Sequence, residues 1–213
     1  AVQALAAGAT MTDSLSFASA DGTAQTVTIT ITGANDAATI AGDTTGAATE
    51  DVSTAATGTL TATDTDTGES SMADKSSTAS TYGTYSMSSG AWTYSLDSTK
   101  SAVQALAAGA TMTDSLSFAS ADGTAQTVTI TITGANDAAT IAGDTTGAAT
   151  EDVSTAVTGT LTATDTDTGQ SSMANKGSTS STYGTYSMTS GTWTYSLDNS
   201  NAAVQALAAS ATM

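Results

Sequence analysis

The sequence GANDAA at residues 33–38 recurs unchanged at residues 134–139, 101 positions further on. Each occurrence follows the alternating run TVTITIT, at 26–32 and at 127–133. A fixed internal period is typical of tandem repeats, in which each copy is one structural module. GANDAA therefore marks the passage from one module to the next, and the same period assigns the rest of the chain.

The period divides the chain into three parts. We predict that residues 1–33 are the C-terminal part of a preceding repeat, residues 34–134 a complete repeat, and residues 135–213 the truncated N-terminal part of a following repeat. A repeat of 101 residues has the ordinary size of a domain. We expect the chain to be a window on a longer array.

Several segments of the complete repeat alternate apolar and polar residues, which indicates strands with one buried face. They include GTLTAT at 58–63, hairpin arms at 82–87 and 91–96, and the run at 128–132. Small, alternating strands separated by turn residues are typical of an Ig-like sandwich. The predicted fold class is therefore all-β, with tandem Ig-like β-sandwich modules of about seven short strands each.

Three other segments of the repeat lack this alternation. Residues 97–109 are compatible with one or two helical turns. Residues 42–49 are rich in turn formers, and residues 70–81 are small and polar, so both are predicted to be loops.

The charge balance excludes several functions. The chain has twenty acidic residues and only three basic ones, all Lys, which gives a formal net charge of −17. Nucleic-acid binding depends on Lys and Arg contacts to phosphate, so it is not expected. No run is long and apolar enough to insert into a membrane. So large a net charge strains the compact state, and bound cations would relieve that strain.

Residue types that are missing also limit the chemistry. There is no Cys, which excludes disulfides and thiolate metal sites. There is no His, so a hydrolytic Ser triad lacks its usual base. We predict that the protein is not an enzyme and has no catalytic residues. Trp92 and Trp193 could stack on sugars, but their places on alternating strands favour a role in the core.

Paired aspartates are the strongest candidate site. Asp64 and Asp66 follow the strand at 58–63, and Asp165 and Asp167 repeat them. Oxygen-only, carboxylate-rich sites suit a hard cation such as Ca2+. The site is not an EF-hand, because Lys75 would stand at position twelve of the loop, where a Glu is required.

The motifs also resemble a known family, the VCBS repeat. The similar segments, in order, are 58–68, 82–85, 90–97, 102–106 and 134–138. The resemblance implies a cadherin-like, Ig-like module of large bacterial RTX-type adhesins that leave the cell by type I secretion. It therefore implies a secreted or cell-surface location.

The resemblance also implies a ligand set for Ca2+. In such modules the linker Asn-Asp, an acidic pair near the module start and the Asp-x-Asp of the following module meet at the junction. At the central junction these residues are Glu50, Asp51, Asn136, Asp137, Asp165 and Asp167, with Asp122 as a weaker candidate. At the preceding junction they are Asn35, Asp36, Asp64 and Asp66, with Asp21 also possible, and the third copy repeats the acidic pair as Glu151 and Asp152.

The alternative for these residues is that Asp, Asn and Gly simply form turns. We favour that interpretation for Asp43 and Asp97, which stand alone, and Ca2+ binding for the co-occurring set.

Three functions remain open at this point. The first is a Ca2+-rigidified structural extender repeat of a secreted or cell-surface adhesin or biofilm protein, whose partners are the neighbouring repeats of the same chain. The second is a self-assembling extracellular filament, in which copies associate head-to-tail and the strands at 12–32 complete the truncated module of the next copy. The third is a glycan-binding module that uses surface Tyr and Trp.

Overall fold

The computed structural model describes residues 1–208, 211 and 212. The end of the predicted third copy, residues 209, 210 and 213, lies outside the described residues. The chain forms two compact units: unit 1 comprises Ala1–Val103 and Ala108–Ala135, and unit 2 comprises Gln104–Ala107 and Asn136–Met213. Unit 1 thus holds residues 1–33 and the complete repeat except for residues 104–107.

The described residues are almost entirely strands and turns. The strands of unit 1 are β1 (Thr10–Ala18), β2 (Ala24–Thr32), β3 (Thr39–Gly42), β4 (Thr45–Thr49), β5 (Ala56–Thr63), β6 (Lys75–Ala79), β7 (Gly83–Ser88), β8 (Ala91–Leu96), β9 (Thr111–Ala119) and β10 (Ala125–Thr133). Those of unit 2 are β11 (Thr140–Gly143), β12 (Val157–Thr164), β13 (Lys176–Ser180), β14 (Gly184–Thr189) and β15 (Thr192–Leu197). Single helical turns are α1 (Ser101–Gln104), α2 (Ala202–Gln205) and a 3-10 turn at Val2–Ala4.

The complete repeat in unit 1 is a sandwich of two sheets. One sheet has the order β3-β5-β8-β7-β6, and the other has the order β4-β10-β9. All pairs are antiparallel except β4 and β10, which run parallel. The fold class is therefore the predicted all-β sandwich, and the helical content is limited to single turns.

The core of this sandwich consists of the inward-facing residues of the alternating strands. On β10, Val128, Ile130 and Ile132 are fully buried. Trp92 and Tyr94 of β8 are 1% and 0% exposed. The alternation read from the sequence therefore identifies the buried face correctly, and Trp92 is a core residue as expected.

Two predicted loops contain strands. Within the turn-rich residues 42–49, β4 forms because its backbone pairs with β10, from Thr45 opposite Thr129 to Thr49 opposite Thr133. Within the polar residues 70–81, β6 pairs with β7 at the edge of its sheet. Both are short edge strands of small or polar residues, so backbone pairing rather than an apolar face defines them, and alternation cannot reveal them.

Unit 2 contains the five-stranded sheet in the order β11-β12-β15-β14-β13. Its pairing repeats that of unit 1, with Trp193 opposite Gly159 as Trp92 is opposite Gly58. Residues 146–150 have the same sequence as β4 but form no strand.

The hairpin β1–β2 in unit 1 is a two-stranded sheet. Its sequence matches that of β9–β10, yet its apolar side chains lie on the surface, with Phe17 57% exposed and Ile29 45% exposed. Among the described residues, no helix is long and apolar enough to cross a membrane.

Candidate metal centre

The Asp64–Gly68 turn of unit 1 begins where β5 ends. The Asp66 N–H donates to Asp64 Oδ1 at 2.8 Å, and the Asp64 N–H donates to Ser70 Oγ at 3.0 Å. Gly68 has φ 92°, a left-handed conformation that glycine adopts without steric cost. The chain thereby reverses direction within a few residues, so that the side chains of Asp64, Asp66 and Glu69 converge.

Three carboxylates converge at this turn. Asp64, Asp66 and Glu69 each offer one oxygen, and these oxygens lie within 4.8 Å of one another. Asp66 is only 2% exposed. One oxygen of each group, namely Asp64 Oδ2, Asp66 Oδ1 and Glu69 Oε2, is buried and has no hydrogen-bond partner. Buried charges of like sign are costly unless a cation or hydrogen bonds compensate them.

The electrostatics of Glu69 reflect this crowding. Burial is the largest effect that raises its pKa, and the negative charges of Asp66, Asp64 and Asp122 raise it further. The sequence interpretation did not include Glu69. The sequence nevertheless contained a signal for this residue, because Glu69 directly follows the turn glycine of the Asp-x-Asp motif.

Asp122 approaches the same region from the turn between β9 and β10. Its Oδ2 accepts from the Ala38 N–H at 3.1 Å. Hydrogen bonds from the Ser120 and Thr124 hydroxyls hold the pKa of Asp122 well below its usual range. The sequence assigned Asp122 to the junction after its own repeat. The structure instead places it beside Ala38, at the start of that repeat, because the β9–β10 hairpin returns to this end.

The linker before the complete repeat contacts the turn through its backbone. The Asp36 N–H donates to Asp66 Oδ2 at 2.9 Å, and Asn35 Nδ2 donates to the Asp36 carbonyl at 3.1 Å. The Thr67 N–H donates to the Ala4 carbonyl at 3.1 Å. In unit 1 the backbone of Asp36 thus contacts the Asp-x-Asp turn, and the Asn35 side chain bonds to Asp36.

Asp21 is the counterpart of Asp122 in the β1–β2 hairpin. Its hydrogen bonds stay within its own turn, and those from Ser19 and Thr23 lower its pKa to about 2. It is fully exposed, and its contacts are those of a turn former.

The acidic pair of unit 1 lies beside the end of the repeat. Glu50 is 1% exposed, and its Oε2 accepts from the Ala135 N–H at 3.0 Å. Asp51 has φ 58°, and its N–H donates to Ser98 Oγ at 3.2 Å. The structure therefore places Glu50 beside Ala135, the residue that precedes Asn136 in the linker.

Unit 2 repeats the Asp-x-Asp turn with one change. The Asp167 N–H donates to Asp165 Oδ1 at 2.8 Å, and the Asp137 N–H donates to Asp167 Oδ2 at 3.1 Å. Gln170 stands at the position of Glu69, and its Nε2 donates to Asp167 Oδ2 at 3.0 Å. Asp167 Oδ1 is buried without a hydrogen-bond partner. Unit 2 therefore presents two carboxylates and an amide at this turn.

The other predicted residues of unit 2 lie in its linker and in its acidic pair. Asn136 Nδ2 donates to the Asp137 carbonyl at 2.7 Å, as in unit 1. The Asp152 N–H donates to Asn199 Oδ1 at 2.9 Å. Glu151 Oε2 is buried and lacks a hydrogen-bond partner.

Of the two aspartates predicted to be turn formers, Asp97 bonds within its own turn, whereas Asp43 bonds to Thr59 on β5. Asp97 Oδ1 accepts from the N–H and hydroxyl of Thr99, and these bonds lower its pKa. Asp43 Oδ2 accepts from the Thr59 N–H at 2.9 Å. Neither belongs to the acidic group around Asp66.

Comparison of the sequence with protein families gives one match. Residues 35–134, slightly less than half of the chain, match the bacterial cadherin-like domain. This range coincides with the complete repeat and identifies it as a cadherin-like module. No curated protein matches the chain significantly.

Solved structures with similar folds have low sequence identity. PcdhgB3 EC1-4 is 13% identical, with a TM-score of 0.46, and the match covers 88% of this chain and 55% of that one. Protocadherin Gamma B2 extracellular cadherin domains 3-6 are 14% identical, with a TM-score of 0.44 and coverage of 89% and 49%. The Escherichia coli adhesin FdeC is 15% identical, with a TM-score of 0.29 and coverage of 82% and 60%.

This chain spans about half the length of the protocadherin structures that it matches. All three TM-scores are below 0.5, so nothing about this chain's function follows from them.

Proposed function

We propose that this protein is a structural extender of a secreted or cell-surface adhesin, in which Ca2+ stiffens each repeat at its Asp-x-Asp turn. The observation that carries the proposal is the group of buried oxygens without hydrogen-bond partners on Asp64, Asp66 and Glu69. They belong to three carboxylates whose ligand atoms lie within 4.8 Å of one another. The cadherin-like match over the complete repeat supports the same reading.

The donor set fits a hard divalent cation. Ca2+ binds six to eight oxygens from carboxylates, carbonyls and water, with little demand for fixed geometry. Asp64, Asp66 and Glu69 would hold it in unit 1, and Asp122 stands close enough for its charge to raise the pKa of Glu69. The same reasoning assigns Asp165 and Asp167 to a weaker site in unit 2, where Gln170 replaces the third carboxylate.

Cation binding would act on the mechanics of the repeat. Asp66 Oδ2 accepts from the linker at Asp36, and Asp122 Oδ2 accepts from Ala38 just before β3. A cation that holds these carboxylates therefore fixes the linker through backbone hydrogen bonds. It also neutralises part of the net charge of −17, which otherwise opposes a compact chain.

The finer assignment to VCBS repeats of RTX-type adhesins rests on the sequence motifs described above. This assignment fits a chain without Cys. In it, the repeats act as spacers and other domains of the adhesin bind its target. The biofilm context and the neighbouring repeats as partners belong to the same proposal.

The test is titration of the full chain with Ca2+ by calorimetry, together with melting in Ca2+ and in chelator. A ligand that binds only the folded state at a hundredfold excess over its Kd adds about 2.7 kcal/mol to the free energy of unfolding. Asp66→Asn should abolish binding to unit 1, while Asp97→Asn, an exposed turn former, should leave it intact. Identical melting curves with and without Ca2+ would refute the proposal.

Stacking of glycans on Trp92 is not supported, because Trp92 is 1% exposed and its Nε1–H donates to the Asp43 carbonyl at 3.0 Å.

A further inference from the structure

A groove in the complete repeat lies between β5 and residues 70–74. Its volume is about 630 Å³. The residues that line it are Leu60, Thr61, Ala62, Ser70, Ser71, Met72, Asp74, Ser89 and Gly90. The residues 101 positions further on line a groove of about 510 Å³ in unit 2. The groove is therefore a feature of the repeat itself, and in unit 1 it lies wholly within the complete copy.

The groove exists because β5 is longer than its pairing with β8. The register of these two strands ends at Thr59 opposite Ala91, since the turn at residues 89–90 closes the β7–β8 hairpin there. Beyond this point β5 continues with β3 paired on its other side. The last residues of β5 therefore have one edge that β8 does not cover.

The backbone of Ala62 points out of this uncovered edge. The Leu60 N–H donates to the Gly90 carbonyl at 2.8 Å, on the β8 side of the strand. Backbone groups two residues apart in an antiparallel strand point to the same side. The Asp64 N–H, two residues beyond Ala62, donates to Ser70 Oγ at 3.0 Å. The N–H and carbonyl of Ala62 therefore face the groove, although Ala62 is only 7% exposed.

The opposite wall of the groove presents the backbone of Met72 in the same way. Met72 forms an isolated antiparallel bridge with Ser120, which follows β9. The hydrogen bonds of this bridge are made by its neighbours, at the Ala73 N–H and the Ser71 carbonyl, each at 2.9 Å. In such a pair the N–H and carbonyl of the central residue point away from the partner strand. Those of Met72, which is 7% exposed, therefore point away from β9 and towards the groove.

These two backbone edges together form a site for an extended strand. Buried backbone N–H and C=O groups are nearly always paired in proteins, and an open strand edge is where an extended peptide adds to a sheet. A strand in the groove would continue in line with β8, pair with Ala62 on one side and pair with Met72 on the other. The wall from Leu60 to Asp64 is about 13 Å long at about 3.3 Å per residue, which gives room for about three residues.

The charge at the groove favours a basic peptide. Asp74 is exposed, and its Oδ1 accepts from the Ser89 N–H at 2.6 Å. Among the described residues that line the groove, none is basic, and the chain has a net charge of −17. Complementary charge steers a partner and selects it over others. In unit 2, Asn175 replaces Asp74 and keeps the equivalent bond to the Ser190 N–H at 2.7 Å.

We propose that the groove of each repeat binds an extended, Lys- or Arg-containing peptide segment of another protein, which adds as a strand to β5. Backbone pairing with Ala62 and Met72 supplies the affinity, and Asp74 favours a basic side chain. The groove gives the repeat a partner as well as a spacer role. None of its lining residues belongs to the carboxylate group Asp64, Asp66 and Glu69, so binding does not rest on the proposed Ca2+ function.

The first test measures the fluorescence anisotropy of a short labelled peptide of alternating Thr and Lys, titrated with the full chain at physiological salt. We expect saturable binding. The same peptide with N-methylated backbone amides carries the same charge but cannot pair as a strand. It should bind roughly tenfold more weakly, because several backbone hydrogen bonds are lost. Equal binding of the two peptides would overturn the proposal, since charge alone would then hold the peptide.

The second test uses variants of the groove. Ser71→Trp with Ser172→Trp places a large side chain in both grooves and should abolish binding. Ser76→Trp is the matched control, because Ser76 is exposed on β6 outside the groove. Asp74→Asn keeps an oxygen for the Ser89 N–H and should weaken binding to unit 1 about threefold, as expected for an exposed charge pair. Melting curves report that each variant remains folded.

The third test locates the peptide by amide hydrogen exchange and mass spectrometry. The fragment that contains Met72 is distinguishable from its unit 2 counterpart, because residues 74 and 76 differ from residues 175 and 177. Exchange of the Met72 amide should slow when the peptide is saturating. Unchanged exchange there, full binding to the Ser71→Trp, Ser172→Trp chain, or no binding at millimolar peptide would overturn the proposal. The groove would then hold only water.

Discussion

The Tyr94 hydroxyl donates a hydrogen bond of 3.0 Å to Asp114 Oδ2 inside the complete repeat. Tyr94 lies on β8 and Asp114 on β9, so this bond joins the two sheets of the sandwich. Asp114 is 2% exposed and also accepts from Ser80 Oγ and the Tyr82 N–H. A buried carboxylate with this many donors is stabilised in its charged form.

Removal of this carboxylate should destabilise the repeat. We expect Asp114→Asn to lower the free energy of unfolding of unit 1 by roughly 2–3 kcal/mol, because the donors lose a charged acceptor and an amide NH2 replaces one of its two oxygens. Tyr94→Phe should cost about 1–2 kcal/mol, since only one such bond is lost. The matched control is Asp13→Asn, the same residue in the same local sequence but exposed. Denaturant unfolding followed by Trp92 fluorescence measures all three, and equal effects at Asp13 and Asp114 would contradict the prediction.

The Asp114 network should also make stability depend on pH. Burial raises the pKa of Asp114, but the hydrogen bonds from Ser80, Tyr82, Tyr94 and Ser115 outweigh it and hold the pKa below 3.8. A depressed pKa contributes stability above the unfolded-state pKa, and this contribution is lost as the pH falls through the folded-state value. The stability difference between wild type and Asp114→Asn should therefore be constant near neutral pH and shrink below about pH 4. A difference that does not change with pH would show that Asp114 has the same pKa in the folded and unfolded states.

Gly58 is required by the packing of Trp92. A Cβ at this position would lie 2.4 Å from Trp92 Cζ2, far inside van der Waals contact. We expect Gly58→Ala to cost about 1–3 kcal/mol through overpacking. Gly177→Ala is the control, because a Cβ there meets nothing within 4 Å. Thermal melting compares them, and a neutral Gly58→Ala would mean that the Trp92 ring shifts freely.

The two Asp-x-Asp turns should differ in Ca2+ affinity. Unit 1 offers Asp64, Asp66 and Glu69, whereas Gln170 replaces the third carboxylate in unit 2. Affinity rises with the number of charged ligands, so calorimetry should resolve a tighter and a weaker class of sites. Glu69→Gln should lower the tighter affinity towards the weaker one, and Gln170→Glu should raise the weaker one. If neither substitution moves either class, Glu69 is not a ligand.

The two tryptophans should report different environments. Trp92 is 1% exposed, while Trp193 is only half-buried and lines a groove of unit 2 with Val157 and Leu161. We expect Trp92→Ala to cost about 3–5 kcal/mol as a core truncation and Trp193→Ala to cost less. Dilute quencher should reduce the emission of Trp92→Phe chains, which retain Trp193, more than that of Trp193→Phe chains. Equal quenching would mean that Trp193 is as deeply buried as Trp92.

Much of this protein was readable from its sequence. The period of 101 residues, the all-β sandwich and the buried face of the alternating strands in the complete repeat follow from local patterns. They do so because the pleat of a strand puts alternate residues on opposite faces, whatever lies around it. The Asp-x-Asp turn was also local, and its hydrogen bonds run between residues two to six positions apart.

Other features required the tertiary structure. Asp122 lies 84 residues from Ala38 in sequence and reaches it only because the β9–β10 hairpin returns to the start of the repeat. Phe17 and Phe118 have the same local sequence, yet one is 57% exposed and the other 2%. TGAAT is the strand β4 at residues 45–49 but has no strand structure at 146–150. Its backbone pairs only where β10 lies alongside, because a short segment of small residues has no apolar face of its own to fix its place.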